Sequence, residues 1–328
     1  MGKARSPRHG SMQFWPRVRA QSETPRIRSW GKADSGVLGF AGYKAGMTRI
    51  QYVDPVKTSL TKGQVVSEAV TIIECPPLSV IAFRCYTKTS DNQLVVSHQI
   101  NASKVGLEVK RRLSQSVKES QQNADSIDES AVHSVRVVVA TQPKLTGFGK
   151  KTADIFELAL GGDVSSQLAF AKEKLGQIIT VADVFKPGEL VDAHAVTKGK
   201  GYQGSVKRFG VSLRQHKSEK AKRGPGSLGP WKGQGHVMYR VAMAGKMGYH
   251  LRTDYNKRVE LISDDVSKVN PVSGISQYGL VKGSYILVRG SVSGPKKRLV
   301  TLTKAIRPNA KYDFGELTLD YISIDAQN

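Results

Sequence analysis

Acidic side chains are scarce wherever basic ones crowd. The 328 residues hold 50 Lys and Arg against 27 Asp and Glu, a net charge of +23, and residues 194–258 carry 15 Lys and Arg against only Glu219 and Asp254. Cysteine is scarcer still. Cys75 and Cys85 have no paired Cys or His at metal-ligand spacing, which excludes a disulfide-stapled or zinc-built scaffold and reads as two reduced core thiols. Long apolar runs are missing too. None approaches the roughly 20 residues of a spanning helix, and MGKARSPRHG lacks the apolar centre of a signal peptide, so the expectation is a cytoplasmic protein with no membrane partner.

Catalytic patterns are equally thin. The seven histidines show no H-E-x-x-H spacing, and neither a Walker motif nor a G-x-S-x-G elbow occurs. Gly199, Gly201 and Gly204 do satisfy G-x-G-x-x-G after a strand-like run. A dinucleotide site would continue into a packed helix with an acid about 20 residues on, whereas this chain continues SVKRFGV and holds no Asp or Glu from 221 to 252. A nucleic-acid enzyme would need clustered acids to hold a metal, and the basic segments hold almost none. The chain is therefore read as no enzyme, with no cofactor and no metal.

What is present is a partition of charge. Residues 1–32 have eight Lys and Arg against Glu23, with Pro7, Pro16 and Pro25 forbidding a continuous helix. Together with 194–258 they hold all but +3 of the net charge. A nearly neutral body thus carries an extended arm, 1–35, and a long basic loop, 198–258, and so much positive charge implies a polyanionic partner.

The body, 36–90 and 177–328, reads mainly as β. VLGFAGYKAGMTRIQYV has the glycines of a turn between two short strands, EAVTIIEC and LSVIAFRCY flank Pro76 and Pro77, and SVRVVVA, QIITVAD, LVDAHAV, SYILVRG, RLVTLTKA and LTLDYISI are further strand candidates. Many short strands with Gly and Pro turns point to a closed barrel or a sandwich. Residues 91–176 are more polar and read as an inserted α/β subdomain. There LEVKRRLSQSVKESQQNAD is weakly amphipathic, and SSQLAFAKEKLG has a Ser cap and a closing Gly176.

The loop has eleven of the 32 glycines and no aliphatic run to seed a core. Fixing about 65 residues costs on the order of 65 to 130 kcal/mol of backbone entropy, so something outside the protein is expected to order it. Closely spaced cations neutralise phosphates, glycines admit close backbone approach, and Phe209, Trp231, Tyr239 and Tyr249 offer faces for stacking. Sequence-specific DNA binding would want a recognition helix, against which the Gly and Pro content argues. RNA is the preferred partner.

These residues also carry a resemblance. The pieces RSPRHGSMQFWPRVRA, PRIRSW, GFAGYKAGMT, TQPKLTGFGKKTADIFEL, DVFKPGELVDAHAVTKGKGYQGSVKRFGV, GSLGPW and AGKMGYHLRTDYNKR follow in the order found in the universal large-subunit ribosomal protein L3 family. The chain resembles its archaeal and eukaryotic form, and its length favours the archaeal branch.

The resemblance implies a translation-protein-type β-barrel (reductase/isomerase/elongation-factor-like) with an inserted α/β subdomain, an extended N-terminal arm and a long basic internal loop. It also implies binding of large-subunit rRNA beside neighbouring large-subunit proteins, a part in early assembly near the rRNA 3′ end, and a loop reaching toward the peptidyl transferase centre, where it supports aminoacyl-tRNA accommodation and elongation-factor binding. The remaining readings are a non-ribosomal RNA-binding protein or a nucleic-acid enzyme. Candidate rRNA-binding residues in the arm are Arg5, Arg8, His9, Trp15, Arg17, Arg19, Arg26 and Arg28. In the loop they are Lys198, Lys200, Tyr202, Lys207, Arg208, Arg214, His216, Lys217, Lys222, Arg223, Trp231, Lys232, His236, Arg240, Lys246, Tyr249, His250, Arg252, Lys257 and Arg258. The chain departs from the family after Trp231, where Lys232, Gly233 and Gln234 replace the usual His-Pro, and at Arg49, where His is common.

Overall fold

The computed structural model describes residues 8–56, 58–113, 127–217, 221–229, 235–309 and 317–325. The chain divides into two compact units, one of residues 1–21 and 197–251, the other of 22–196 and 252–328.

The larger unit is built from antiparallel strands. In chain order they are β1 (Gly39–Val53), β2 (Val65–Glu74), β3 (Leu78–Lys88), β4 (Leu94–Asn101), β5 (Ser134–Thr141), β6 (Ile155–Ala159), β7 (Ile178–Ile179) and β8 (Leu190–Val196). The short strands β9 (Tyr202–Gln203) and β10 (Gly245–Lys246) belong to the smaller unit, after which come β11 (Leu251–Ser263), β12 (Tyr285–Arg289), β13 (Leu299–Lys304) and β14 (Leu319–Ile322). Among the described residues the α-helices are α1 (Leu107–Lys110), α2 (Val164–Lys174) and α3 (Ser205–Phe209).

The order β13-β8-β11-β12-β2-β1, with β1 returning to pair β13, closes a six-stranded ring. The expected barrel is present, and closure removes the unpaired edges an open sheet would expose. Its apolar runs are continuous rather than alternating, because β8 and the first eight residues of β1 are buried throughout.

β1 is a single 15-residue strand, not the two short strands and a turn expected from its glycines. Those glycines serve close approach instead. A Cβ on Gly42 would stand 2.6 Å from the Glu74 carbonyl oxygen and 2.7 Å from Cys75 Sγ. The register with β2 slips between Lys44 and Gly46, and such a bulge bends a strand without ending it. β1 therefore pairs β13 through residues 39–43, β2 through 43–53 and β14 through 50–52.

The second sheet has the order β4-β3-β5-β6, with β7 on the far part of β3. It joins β3 and β7 to β4, β5 and β6. One continuous cluster joins Phe40, Tyr43 and Ile72 of the barrel to Phe83, Val137 and Leu158 of the second sheet. Helix α2 buries Leu168 and Ala171, one turn apart. Its N-cap is Asp163, not the serine the pattern indicated; no side chain caps it, and Ser166 Oγ donates to the Asp163 carbonyl at 2.7 Å. In the weakly amphipathic stretch from Leu107, α1 is the helix among the described residues, and residues 114–126 lie outside the described set. Both cysteines are free and buried, and burial pushes their thiols up.

Candidate nucleic-acid interface

The smaller unit holds 17 Lys and Arg and, as its one acid, Glu219. Its stems are paired. Lys200 N donates to the Met247 carbonyl and Met247 N to that of Gly201, both at 2.9 Å, and β9 pairs β10. The return turn depends on Gly248 (φ +75), where a Cβ would lie 2.1 Å from the Lys198 carbonyl oxygen. Tyr249 shares the left-handed conformation at φ 55.

A small apolar centre forms around Phe209 of α3, which is buried. The Trp15 ring lies 5.7 Å from it, and the Arg17 guanidinium stands 4.1 Å over its face, within cation–π range. Gly10 completes the contact, since a Cβ there would meet Phe209 Cδ1 at 2.4 Å. The arm thus supplies part of the order that the sequence attributed wholly to an outside partner.

Several predicted phosphate-binding arginines are occupied with main-chain carbonyls. Arg17 Nη1 donates to Arg208 O at 2.7 Å, and Arg8 Nη2 to Arg240 O at 2.7 Å. Arg208 donates through Nε to Lys246 O (3.1 Å) and through Nη1 to Met243 O (2.9 Å). His250 is buried, with Nδ1 donating to the Val18 carbonyl at 2.6 Å. These groups build the platform. Its exposed face carries His9, Arg19, Lys198, Lys200, Tyr202, Lys207, His216, Lys217, Lys222, Arg223, His236 and Lys246, with Arg8 and Arg240 also largely in solvent. Arg214 and Tyr249 are half-buried, and the Arg19 guanidinium stacks 5.0 Å over the Tyr249 ring. Arg5, Trp231 and Lys232 lie outside the described residues.

In the larger unit, Arg252 and Lys257 are half-buried on β11. Arg258 does not belong with the surface cations. It is 1% exposed and donates to the equally buried Glu260 at 2.5 Å, so its guanidinium is withdrawn from the surface. Burial pushes the Glu260 carboxyl up to about 7 although Arg258 and Arg289 stand beside it.

Arg26 and Arg28 are exposed and line a cavity of about 620 Å3 with Trp30, Arg84, Tyr86, Arg136 and Glu157. Arg84 and Arg136 were not singled out in the sequence because nothing local marks them; only the pairing of β3 with β5 sets them opposite each other. Both donate to Glu157, as does Tyr86 OH at 2.8 Å. Burial works against its charge, but hydrogen bonds from Tyr86 and Arg84, with both arginines alongside, hold the Glu157 carboxyl below its ordinary value.

Comparison with known proteins defines the class first: the relatives are ribosomal proteins. The chain is 43% identical to large ribosomal subunit protein uL3 of Methanothermobacter thermautotrophicus over 98% of both chains. It is 42% identical to that of Archaeoglobus fulgidus over 98% of both, and 42% identical to that of Pyrobaculum calidifontis over 94% of both. The family model described as Ribosomal protein L3 matches residues 1–327, and the chain belongs to that family. It is accordingly a structural, non-enzymatic component of the ribosome and a cytoplasmic protein.

Proposed function

We propose that the smaller unit binds large-subunit rRNA, that the chain enters the large subunit early near the rRNA 3′ end, and that the tip of the loop supports aminoacyl-tRNA accommodation and elongation-factor binding near the peptidyl transferase centre. The carrying observation is the unit's composition: 17 cations and one acid on a platform whose main-chain contacts are already made by Arg8, Arg17 and Arg208. A unit with so little internal apolar packing gains more from polyanion contact than from its own core. Tyr202 and Tyr239, 72% and 76% exposed, offer ring faces beside those cations, as unstacked RNA bases require.

The test is retention on the subunit and the salt dependence of binding. The chain should remain with the large subunit through a high-salt gradient. Its affinity for large-subunit rRNA should fall linearly in log–log form as salt rises, by about 0.7 to 0.9 log units per log unit of salt for each phosphate neutralised. Loss from the subunit, or a flat salt response, would reject the reading. For the tip, Trp231→Ala should leave subunits assembled yet weaken tRNA or factor binding; failure to assemble would place Trp231 in a structural role.

A further inference from the structure

The larger unit has a groove of about 610 Å3 whose chemistry differs from that of the basic platform. It is bordered by α1, by the turn at Pro143–Leu145 and by the chain entering β7. Three aliphatic side chains lie open in it: Leu107, Leu145 and Ile178 are 72%, 49% and 55% exposed. Four cations surround them, Lys104, Arg111, Lys144 and Lys151, against Glu108 as the one acid of the lining. The groove is firmly backed. Val109 packs with Ala140 and Ala153 beneath α1, Ala153 N donates to the Glu108 carbonyl at 3.3 Å, and Arg111 Nη1 donates to that of Lys151 at 3.4 Å.

No aromatic residue or histidine lines the groove, and its one guanidinium, that of Arg111, is tied to the Lys151 carbonyl. RNA bases seek aromatic or guanidinium faces, and phosphates would satisfy the cations while leaving three aliphatic side chains against a polar backbone. A protein segment satisfies both. We propose that this groove docks an acidic, aliphatic-bearing segment of a neighbouring protein, with Leu, Ile or Val side chains on Leu107, Leu145 and Ile178 and carboxylates on the surrounding lysines. The charge complementarity steers and orients the segment, and the buried aliphatic contacts hold it. The proposal rests on the chain's standing in the large subunit.

The test is site-directed photocrosslinking in intact large subunits purified through a high-salt gradient, with p-benzoylphenylalanine in place of Leu107 or Ile178. Leu60, which is fully exposed and outside the groove, serves as control. Irradiation should yield a protein adduct whose crosslinked peptide, read by mass spectrometry, is rich in Asp or Glu and holds an aliphatic residue. The Leu60 site should not give that peptide. Adding Lys104→Glu and Lys144→Glu, both exposed positions, should lower the adduct about fivefold or more with the melting profile unchanged. An adduct with rRNA, an adduct with a basic peptide, no adduct, or indifference to charge reversal would each overturn the proposal. Absence of the chain from the large-subunit fraction would instead reject the ribosomal reading on which it stands.

Discussion

Arg208 shows how one residue type serves two ends. Its guanidinium holds the 243–246 segment through two main-chain carbonyls, whereas Lys207 beside it points to solvent. Charge density alone could not separate them, because orientation on α3 decides which cation is structural. Arg208→Ala should therefore open the stem. Hydrogen bonds to charged groups contribute about 1.5–3 kcal/mol each; discounting for its half-exposed setting to about 1 kcal/mol overall gives roughly fivefold faster tryptic cleavage at Lys246. Glu157 supports a second prediction. Its folded carboxyl titrates below the ordinary value of 4.5, so the stability it contributes is fully present above that pH and is lost as pH falls through the folded value. Glu157→Gln should flatten this part of the acid-unfolding curve while lowering stability at pH 7, as followed by denaturant titration at stepped pH. A curve that keeps its wild-type slope below pH 4.5 would reject the role.

Among the elements, those with continuous β-branched or aliphatic runs were legible: β2, β3, β5, β8, β12 and β13 all lie where the sequence placed strands. β4, β6 and β11 were not. LVVSHQIN sits at the edge of the second sheet with Leu94, Val95 and Val96 all exposed, so no burial pattern marks it. LRTDYNKRVELIS buries Arg258 and Glu260 as a pair, and charges at core positions conceal a strand from any reading by hydrophobicity. The stems of the basic loop were legible as motifs, but the packing of Trp15 and Arg17 on Phe209 joins residues nearly 200 positions apart and leaves no local trace. The glycines of β1 were visible but misread, since close approach and turning call for the same residue. Gly42→Ala tests which holds. Overpacking of this kind costs about 1–3 kcal/mol, so the melting temperature should drop by several degrees, with the near-UV spectrum of the barrel altered. A neutral result would mean that β2 yields more readily than its buried position indicates.

For the whole molecule, the division of the chain predicts where it is vulnerable. The stems of the smaller unit are tied to each other and to the arm by hydrogen bonds at Ala20, Lys200, Met247 and His250. Residues 212–240 contain no helix or strand among those described. Limited trypsin treatment of the RNA-free chain should therefore cut first at Lys217, Lys222, Arg223 or Arg240 and spare Lys198 and Lys246. Equal cutting at the stems would show that the arm does not order them. Bound to rRNA, all of these sites should be protected.

The seam of the barrel has a further consequence, for the moment of synthesis. Gly39 pairs with Thr303 and Tyr43 with Leu299, so the ring closes between segments about 260 positions apart. At roughly 5–20 residues per second, about 13 to 50 s separate the emergence of one side of the seam from that of the other. Non-local closure of this kind is slow in itself. Throughout that interval β1 lacks its β13 partner, and the whole polycationic loop, which ends about 40 residues before β13, leaves the exit tunnel before the seam can close. The nascent chain therefore meets its anionic surroundings before its barrel is shut, and a chain stopped short of β13 would present an unclosed sheet and a fully formed polycation together.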